Sequence, residues 1–132
     1  MSRLGRVLCI EDDADVLTVL SFALRRHGAE AVETATDGFS GIAKARTFQP
    51  DLVLCDLMMP GVDGFEVVRQ MRADEHLKKV PVIFLTAYAA TAFRDQEPKD
   101  VGAVGVLVKP FRVQTLGTQI LDMLERHGKS AE

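Results

Sequence analysis

Residues 51–67 read DLVLCDLMMPGVDGFEV, and they place a single acid, Asp56, between an apolar run and a Pro-Gly turn. The run Leu52–Cys55 is continuously apolar, which is typical of a strand buried on both faces of a parallel sheet. Farther on, Asp63 is followed three residues later by Glu, in the form of a capping box that predicts a helix over Gly64–Arg72. The stretch therefore predicts a strand, a loop and a helix, with Asp56 exposed where the strand ends.

Four more apolar runs of similar length lie elsewhere in the chain. The predicted strands are Val7–Ile10, Ala31–Thr34, Leu52–Cys55, Val82–Leu85 and Gly105–Val108. The second run, AVET, is less apolar than the others and suits the edge of a sheet. Segments of helical period separate the strands, and the predicted helices are Ala14–His27, a segment capped by Asp37 that runs to about Thr47, Gly64–Arg72 and Arg112–Arg126. This alternation predicts right-handed βαβ units, and hence an α/β fold with one doubly wound, five-stranded parallel sheet.

Length and composition predict one domain. The 132 residues are 47% hydrophobic and 27% charged, which is ordinary for a globular domain with one hydrophobic core. We expect this core to span about residues 6–126, and we expect residues 127–132 to form a loose tail. The net charge is −3, and Lys and Arg are scattered without a basic stripe, which argues against nucleic-acid binding by this domain.

The chain lacks the sequence features of a membrane or secreted protein. No apolar run approaches the ~20 residues that a membrane helix needs, and the N-terminus does not have the pattern of a signal peptide. Cys9 and Cys55 each lie in an apolar run, so we expect two buried, reduced thiols in a cytoplasmic protein; a disulfide is the less favoured alternative. His27, His76 and His127 stand apart from one another, which is typical of solvated surface residues rather than metal ligands.

Polar side chains follow four of the predicted strands. In doubly wound sheets, ligands and reactive groups collect beyond the carboxyl ends of the strands. The residues at those ends are Glu11, Asp12 and Asp13 after the first strand, Asp56 after the third, Thr86 after the fourth and Lys109 after the fifth. Each alone has a structural explanation, as a helix cap, a loop cap, a backbone-bonded hydroxyl or a solvated turn. Their joint placement at one edge of the sheet indicates a functional site.

These residue types suit metal-assisted phosphoryl transfer. Clustered carboxylates need a cation to offset their repulsion, and Mg²⁺ prefers oxygen ligands. Asp12 and Asp56 would bind it directly, Glu11 directly or through water, and a backbone carbonyl just after Asp56 would complete the protein ligands. A phosphoryl group carries charge on three oxygens, which the metal, the Lys109 ammonium and the Thr86 hydroxyl would contact. Asp56 would then act as the nucleophile and form an acyl phosphate.

The sequence resembles the receiver domains of two-component response regulators. The matching stretches are VLCIEDDADV, LVLCDLMMPGVDGFEV, FLTAY and GAVGVLVKPF, and the resemblance covers about Arg6 to Arg126. It implies a flavodoxin-like sheet, as in chemotaxis regulators, with strand order 2-1-3-4-5. It also implies that Asp56 accepts a phosphoryl group from a histidine kinase or a histidine phosphotransfer protein, and that the Lys109–Pro110 peptide is cis.

The resemblance further implies the ligands and the partners of the site. The implied metal is Mg²⁺, or Mn²⁺, and its implied ligands are the carboxylates of Glu11, Asp12 and Asp56 and the backbone carbonyl of Met58. Thr86 and Lys109 would contact the phosphoryl oxygens. Phosphorylation would change a contact surface on the fourth helix, the fifth strand and the fifth helix, which would face a downstream protein or a second copy of the domain. Such a domain is regulatory rather than an enzyme.

Three features depart from the family pattern. Val106 occupies the position at which many receivers carry an aromatic side chain that moves with the Thr, and Tyr88 is an alternative for that role. Pro98 interrupts the segment Ala89–Val101, so we expect a short, shifted or mobile fourth helix there. Met58 and Tyr88 lie two residues after the phosphoacceptor and the Thr, beside the path of the hydrolytic water in this family, which predicts a long-lived phosphoryl group.

Other functions fit the sequence less well. A degenerate receiver would bind proteins without phosphate, but the acids, Thr86 and Lys109 are all present. A phosphatase with an aspartyl intermediate needs a second acid two residues after the nucleophile, where this chain has Met58. A flavodoxin would have a hydroxyl-rich phosphate loop after the first strand, where this chain has EDDAD. A stand-alone regulator and a receiver within a longer protein both stay open.

Overall fold

The computed structural model describes residues 4–87 and 98–131 and contains a five-stranded parallel sheet. Its strands are β1 (Arg6–Ile10), β2 (Ala31–Ala35), β3 (Leu52–Asp56), β4 (Val82–Thr86) and β5 (Gly105–Val108). They lie in the order β2-β1-β3-β4-β5, which confirms the predicted α/β fold and the edge position of the second strand. Four strands extend one residue beyond their predicted bounds because the ladder includes a further residue, such as Thr86 opposite Val108.

Three of the helices begin directly after an aspartate. They are α1 (Ala14–Arg26), α2 (Gly38–Phe48) and α3 (Gly64–Arg72), and their caps are Asp13, Asp37 and Asp63. Each cap carboxylate accepts a hydrogen bond from a backbone N–H of the first turn, which would otherwise have no partner within the helix. No helix in the described part of the chain is both long enough and apolar enough to span a membrane.

The capping box predicted at the start of α3 forms on one side only. The Glu66 N–H donates to Asp63 Oδ1 at 2.9 Å, as predicted. The Glu66 carboxylate instead lies 2.9 Å from the Arg69 guanidinium and accepts a hydrogen bond from the Gln70 amide at 3.1 Å. These partners lie one turn along the same helix face, and they hold the carboxylate away from the Asp63 N–H.

The C-terminal helix (Val113–Ala131) is longer than its predicted end at Arg126. Residues 127–131, which the sequence suggested as a loose tail, continue the helix. They include no proline to interrupt the backbone hydrogen bonds, and Gly128 costs only about 1 kcal/mol relative to Ala.

Most of the predicted fourth helix lies outside the described residues, because 88–97 belong to the undescribed part of the chain. The same holds for Tyr88. Of the segment Ala89–Val101, the described part is a 3₁₀ helix over Pro98–Val101. Pro98 begins this helix, a position at which its missing N–H removes no hydrogen bond.

Two apolar layers cover the two faces of the sheet. One layer joins α2 and α3 to strand side chains that include Val53, Cys55 and Phe84. The other joins α1 and the C-terminal helix to side chains that include Cys9 and Leu54. Cys9 and Cys55 thus lie on opposite faces, and both are buried thiols without a disulfide, as predicted. Burial raises the pKa of Cys9 to about 12, because the thiolate would lose its hydration.

His27 does not occupy the solvated position that the sequence suggested, whereas His76 and His127 are exposed. His27 caps the end of α1, where its N–H donates to the Ala23 carbonyl at 3.1 Å. Its half-buried ring lies against the backbone of the C-terminal helix, and a Cβ atom at Gly117 would overlap it. Gly117 therefore permits the close approach of α1 and the C-terminal helix, which share one face of the sheet.

The substitution Gly117→Ala should lower the free energy of unfolding by about 1–3 kcal/mol, because the added methyl group forces the His27 ring to move. Urea denaturation followed by circular dichroism measures this change. Gly128→Ala, in the same helix, is the matched control: its Cβ meets no heavy atom within 4 Å, and it should stabilise by up to about 1 kcal/mol. This packing would be contradicted if the two substitutions changed the free energy of unfolding equally. It would also be contradicted if Gly117→Ala cost as much in a protein that already carries His27→Ala.

Candidate functional site

The carboxyl ends of four strands meet at one edge of the sheet. The ladders place Ile10 opposite Cys55 and Thr86 opposite Val108, so the strands end at nearly the same level. The open cleft at this edge has a volume of about 550 Å³ and is lined by Glu11, Asp12, Asp13, Asp56, Met58, Thr86, Ala87 and Lys109. The structure thus brings all of the sequence-predicted site residues into one cleft.

Asp56 lies on the floor of this cleft rather than on an exposed lip. It is the last residue of β3, paired with Leu85, and it is 4% exposed. The expectation that it is exposed was wrong, because the fully buried strand continues through it. The Met58 N–H donates to Asp56 Oδ1 at 3.3 Å, and the Met58 side chain is 66% exposed at the rim. A donor group must therefore enter the cleft to reach the Asp56 carboxylate.

Three carboxylates converge beside Asp56. Oxygen atoms of Glu11, Asp12 and Asp56 all lie within 4.8 Å of one another. Glu11 is fully buried, and its Oε2 accepts a hydrogen bond from the Asp13 N–H at 3.3 Å. The pKa of Asp12 is raised, first by its hydrogen bond with Glu11 and then by desolvation and by repulsion from the same carboxylate. Charge at this edge therefore opposes the ionised form of Asp12.

The Lys109 ammonium lies between two of these carboxylates. Its Nζ atom is 2.5 Å from Glu11 Oε1 and 3.5 Å from Asp56 Oδ1. Desolvation alone would lower the pKa of Lys109, but the two carboxylates outweigh it and the pKa is raised. Lys109 thus stays protonated at neutral pH and offsets part of the negative charge.

The acid cluster fits a hard divalent cation. All three side chains offer carboxylate oxygens, the donor type that Mg²⁺ and Mn²⁺ prefer. The buried Glu11 Oε1 is paired with the Lys109 ammonium. The single ammonium of Lys109 cannot neutralise three neighbouring carboxylates, and a bound cation would neutralise the remaining negative charge.

Gly64, the first residue of α3, is a positioning residue that sequence reasoning missed. A Cβ atom there would lie 2.7 Å from the Asp56 carbonyl oxygen and 3.0 Å from Leu57 Cα. The Gly64 N–H also donates to the Leu57 carbonyl at 3.0 Å, which ties α3 to the end of β3. The signal was present in the sequence, since glycine at the first position of a capped helix is a poor helix former.

The Lys109–Pro110 peptide is cis, as predicted. The Lys109 N–H donates to the Thr86 carbonyl at 2.9 Å, so β4 and β5 stay paired to the rim of the cleft. Thr86 is 1% exposed at the end of β4. Val106 lies opposite Phe84 and packs, partly buried, against the apolar layer that joins α2 and α3 to the sheet.

Comparisons with known proteins agree with this geometry. Residues 7–121 match the response regulator receiver domain. The chain belongs to this family. A receiver of this family is a regulatory phosphoacceptor of two-component signalling, and this role fits the chain. The phosphate-independent binding module is not favoured.

The relatives of this receiver include longer transcriptional regulators and a shorter protein. The chain is 39% identical over 121 residues to the DNA-binding dual master transcriptional regulator RpaA of Synechocystis, covering 92% of this chain and 49% of RpaA. It therefore spans about half the length of that relative. Protein PilH of Pseudomonas aeruginosa is 35% identical over 118 residues, which cover 86% of this chain and 92% of PilH.

Solved structures show the same fold. The chemotaxis response regulator CheY4 of Vibrio cholerae superposes with a TM-score of 0.82 at 35% identity, over 91% of this chain and 98% of that chain. The receiver domain of the sensor histidine kinase PA1611 of Pseudomonas aeruginosa has a TM-score of 0.77 at 33% identity, over 88% of this chain and 93% of that chain. That structure has a magnesium ion coordinated in its active-site cleft.

Removing one charge from the acid cluster should stabilise this receiver when no divalent cation is present. We expect Asp12→Asn to raise the free energy of unfolding by about 0.5 kcal/mol at neutral pH, because it relieves repulsion at a largely exposed position. Urea denaturation with a chelator present measures this. Asp13→Asn is the matched control and should change stability little, since Asn caps a helix about as well as Asp. A loss of stability in Asp12→Asn would contradict the repulsion.

Proposed function

We propose that this receiver takes a phosphoryl group onto Asp56 from the phosphohistidine of a sensor kinase or of a phosphotransfer protein. The observation that supports this most is the position of the Asp56 carboxylate, which faces an open cleft 3.5 Å from the Lys109 ammonium. Glu11 is fully buried and held by Lys109 at 2.5 Å. Asp12 is exposed and follows the strand, so its carboxylate is less rigidly held than that of Asp56.

The proposed transfer needs few groups. An Asp56 oxygen attacks the phosphorus atom, a P–O bond forms, and the P–N bond of the donor breaks with its electron pair passing to the imidazole, which takes up a proton. The Lys109 ammonium would contact one phosphoryl oxygen, and the Thr86 hydroxyl would donate to another. Both lie in the same cleft as Asp56, so their role is to hold the phosphoryl group and to offset its charge.

We propose that Mg²⁺, or Mn²⁺, binds beside Asp56. Its ligands would be the carboxylates of Glu11, Asp12 and Asp56 and the backbone carbonyl of Met58. The close carboxylate oxygens support this assignment, and the related PA1611 receiver contains magnesium in its cleft. When bound, the ion supplies positive charge next to the phosphoryl oxygens.

Phosphorylation would act as a conformational switch. The group adds about −1.5 to −2 charge at neutral pH, and it would shift the population between two conformers through contacts that only one of them makes. Val106 has no ring to rotate and packs against the apolar layer that includes Phe84. The readout of this receiver would therefore not use an aromatic side chain at that position.

The output partner is proposed to be a downstream protein that contacts the region around β5 and the C-terminal helix. β5 is an edge strand, and Val108 on it is 55% exposed. The alternative that we propose is a homodimer. Its contact surface would be the same region together with the fourth helix that receivers of this family have. We expect the domain to work in the cytoplasm and not to bind nucleic acid or a membrane itself.

Incubation with acetyl phosphate and Mg²⁺ should add one phosphoryl group to the wild-type protein, as intact-mass spectrometry would show. Asp56→Asn should remove this adduct because an amide is a poor nucleophile, and a chelator should suppress it. Asp63→Asn, at the α3 cap, is the matched control and should keep the adduct. If neither acetyl phosphate nor a histidine-phosphorylated donor modified the wild type, the phosphate-independent binding module would be the better account.

The phosphoryl group should persist for minutes or longer rather than seconds. Met58 lines the cleft with a large apolar side chain, which would hinder a water molecule that approaches the phosphorus atom. The decay of the phosphorylated mass after removal of the donor measures this lifetime. Met58→Asn should shorten it several-fold, since a polar side chain can orient water. Loss within seconds in the wild type, or no change in Met58→Asn, would refute the role of Met58.

A further inference from the structure

A second concave surface lies at the opposite edge of the sheet, where β4 and β5 begin. This basal cavity, as we call it, has a volume of about 440 Å³. Its charged and titratable lining residues are Arg72, Lys78, Lys79, Lys99 and His127, while Pro81 and Val104 contribute apolar surface. None of its lining residues in the described part of the chain is acidic, although the whole chain has a net charge of −3. We propose that the basal cavity binds a small molecule that carries two or more phosphate groups.

Arg72 fixes the two walls of the basal cavity relative to each other. Its Nη1 donates to the carbonyls of Leu77, Lys78 and Val80 at 3.3, 3.2 and 2.9 Å. Its Nη2 donates to the Gly102 carbonyl at 2.8 Å. The first wall is the turn after α3 that carries Lys78 and Lys79. The second follows the 3₁₀ helix that carries Lys99. The cations are thus held on an organised frame before a ligand binds, which lowers the entropic cost of binding.

The Arg72 guanidinium at the centre of this frame donates hydrogen bonds to backbone carbonyls. These carbonyls carry no net charge, so they do not neutralise the guanidinium. Desolvation lowers the pKa of Arg72, which shows that its surroundings disfavour the cation. An anion in the cavity would offset that cost. Within the described chain, one ion pair reaches the lysines of the cavity: Lys78 lies 2.9 Å from Glu75, whose side chain is 79% exposed. A pair this exposed contributes little, so the lining of the cavity keeps its excess of basic side chains.

Compensation of helix dipoles does not account for these cations. Lys and Arg in the last turn of an α-helix interact favourably with its C-terminal carbonyls, and Arg72, the last residue of α3, is so placed. Lys79 lies seven residues beyond the end of α3, and Lys99 lies within a four-residue 3₁₀ helix. Neither is in the last turn of an α-helix, so helix dipoles do not account for their position.

The shape of the basal cavity favours a small anion over an acidic segment of a protein. Protein interfaces depend on large apolar or aromatic side chains that anchor the partner. The large exposed apolar residues of the described chain are Val19, Phe22, Phe39, Met58 and Val108, and none of them lines the cavity. A volume of about 440 Å³ lies within the range of small-molecule sites. Several cations around one hollow suit a ligand with clustered phosphates.

The basal cavity is separate from the phosphoacceptor cleft. Pro81 and Val104 lie just before β4 and β5, whereas Thr86 and Lys109 lie at the other ends of these strands. Strands of four and five residues place the two sites about 15 Å apart. Binding at one site therefore does not require the chemistry of the other.

Isothermal titration of the wild-type protein with sodium tripolyphosphate tests the proposal. The titration uses low ionic strength and no divalent cation, so that metal-bridged binding at the acid cluster is absent. We expect one site, with affinity that rises from orthophosphate to pyrophosphate to tripolyphosphate. The double variant Lys79→Ala/Lys99→Ala should weaken tripolyphosphate binding about tenfold or more, because each lysine supplies a direct charge contact. Both residues are exposed, so the variant should fold, and it should still accept a phosphoryl group at Asp56.

The matched control is Arg26→Ala/Arg112→Ala, which removes the same charge from other exposed positions. It should weaken binding less than about twofold if contact rather than net charge is responsible. A second control, Asp56→Asn, should leave the affinity for tripolyphosphate unchanged. Neither control depends on whether Asp56 is the phosphoacceptor.

Four outcomes would overturn the proposal. They are no binding of tripolyphosphate at millimolar concentration, equal weakening by the two double variants, loss of binding in Asp56→Asn, and tighter binding of a short poly-glutamate peptide than of tripolyphosphate. The last would make an acidic protein segment the occupant. Selective weakening by Lys79→Ala/Lys99→Ala, with tripolyphosphate bound more tightly than the peptide, would establish a phosphate-binding site.

Discussion

Repulsion among three carboxylates, offset in part by one ammonium, is the interaction on which the edge of this sheet depends. Oxygens of Glu11, Asp12 and Asp56 lie within 4.8 Å of one another, and Lys109 reaches two of them. Flexible loops would let such groups separate. Here β1, β3 and the end of β5 hold three of the four groups, and apolar layers on both faces fix the strands. Burial of apolar surface thus stabilises a polar cluster that would otherwise open.

The sequence predicted correctly the patterns that lie within one element and the edge at which the parallel strands end. Continuous apolar runs gave the strands, since both faces of a parallel sheet are covered by helices. The bounds of α3 followed from Asp63 as its cap and the helical period after it. The convergence of the acids, Thr86 and Lys109 followed from strand direction, because parallel strands end at the same edge.

Features that depend on contacts between distant segments were not readable. Asp56 shares its cleft with side chains that follow several strands, and the half-buried ring of His27 depends on Gly117, ninety residues away in sequence. The basic residues look scattered because Arg72, Lys79 and Lys99 belong to separate segments. Chain topology brings them to one cavity, so the absence of a basic stripe in the sequence did not exclude a basic surface.

The helix α3 connects the two edges of the sheet. At its start, Gly64 leaves no room for a side chain beside the Asp56 carbonyl; at its end, Arg72 binds the carbonyls that frame the basal cavity. Nine helical residues span about 13 Å, close to the length of the strands beneath them. A displacement of α3 along its axis would therefore disturb the backbone at Asp56 and the walls of the cavity together. The buried side chains Val67, Val68 and Met71 of α3 pack closely in the apolar layer and oppose such a displacement. One apolar contact surface therefore positions both ends of the helix.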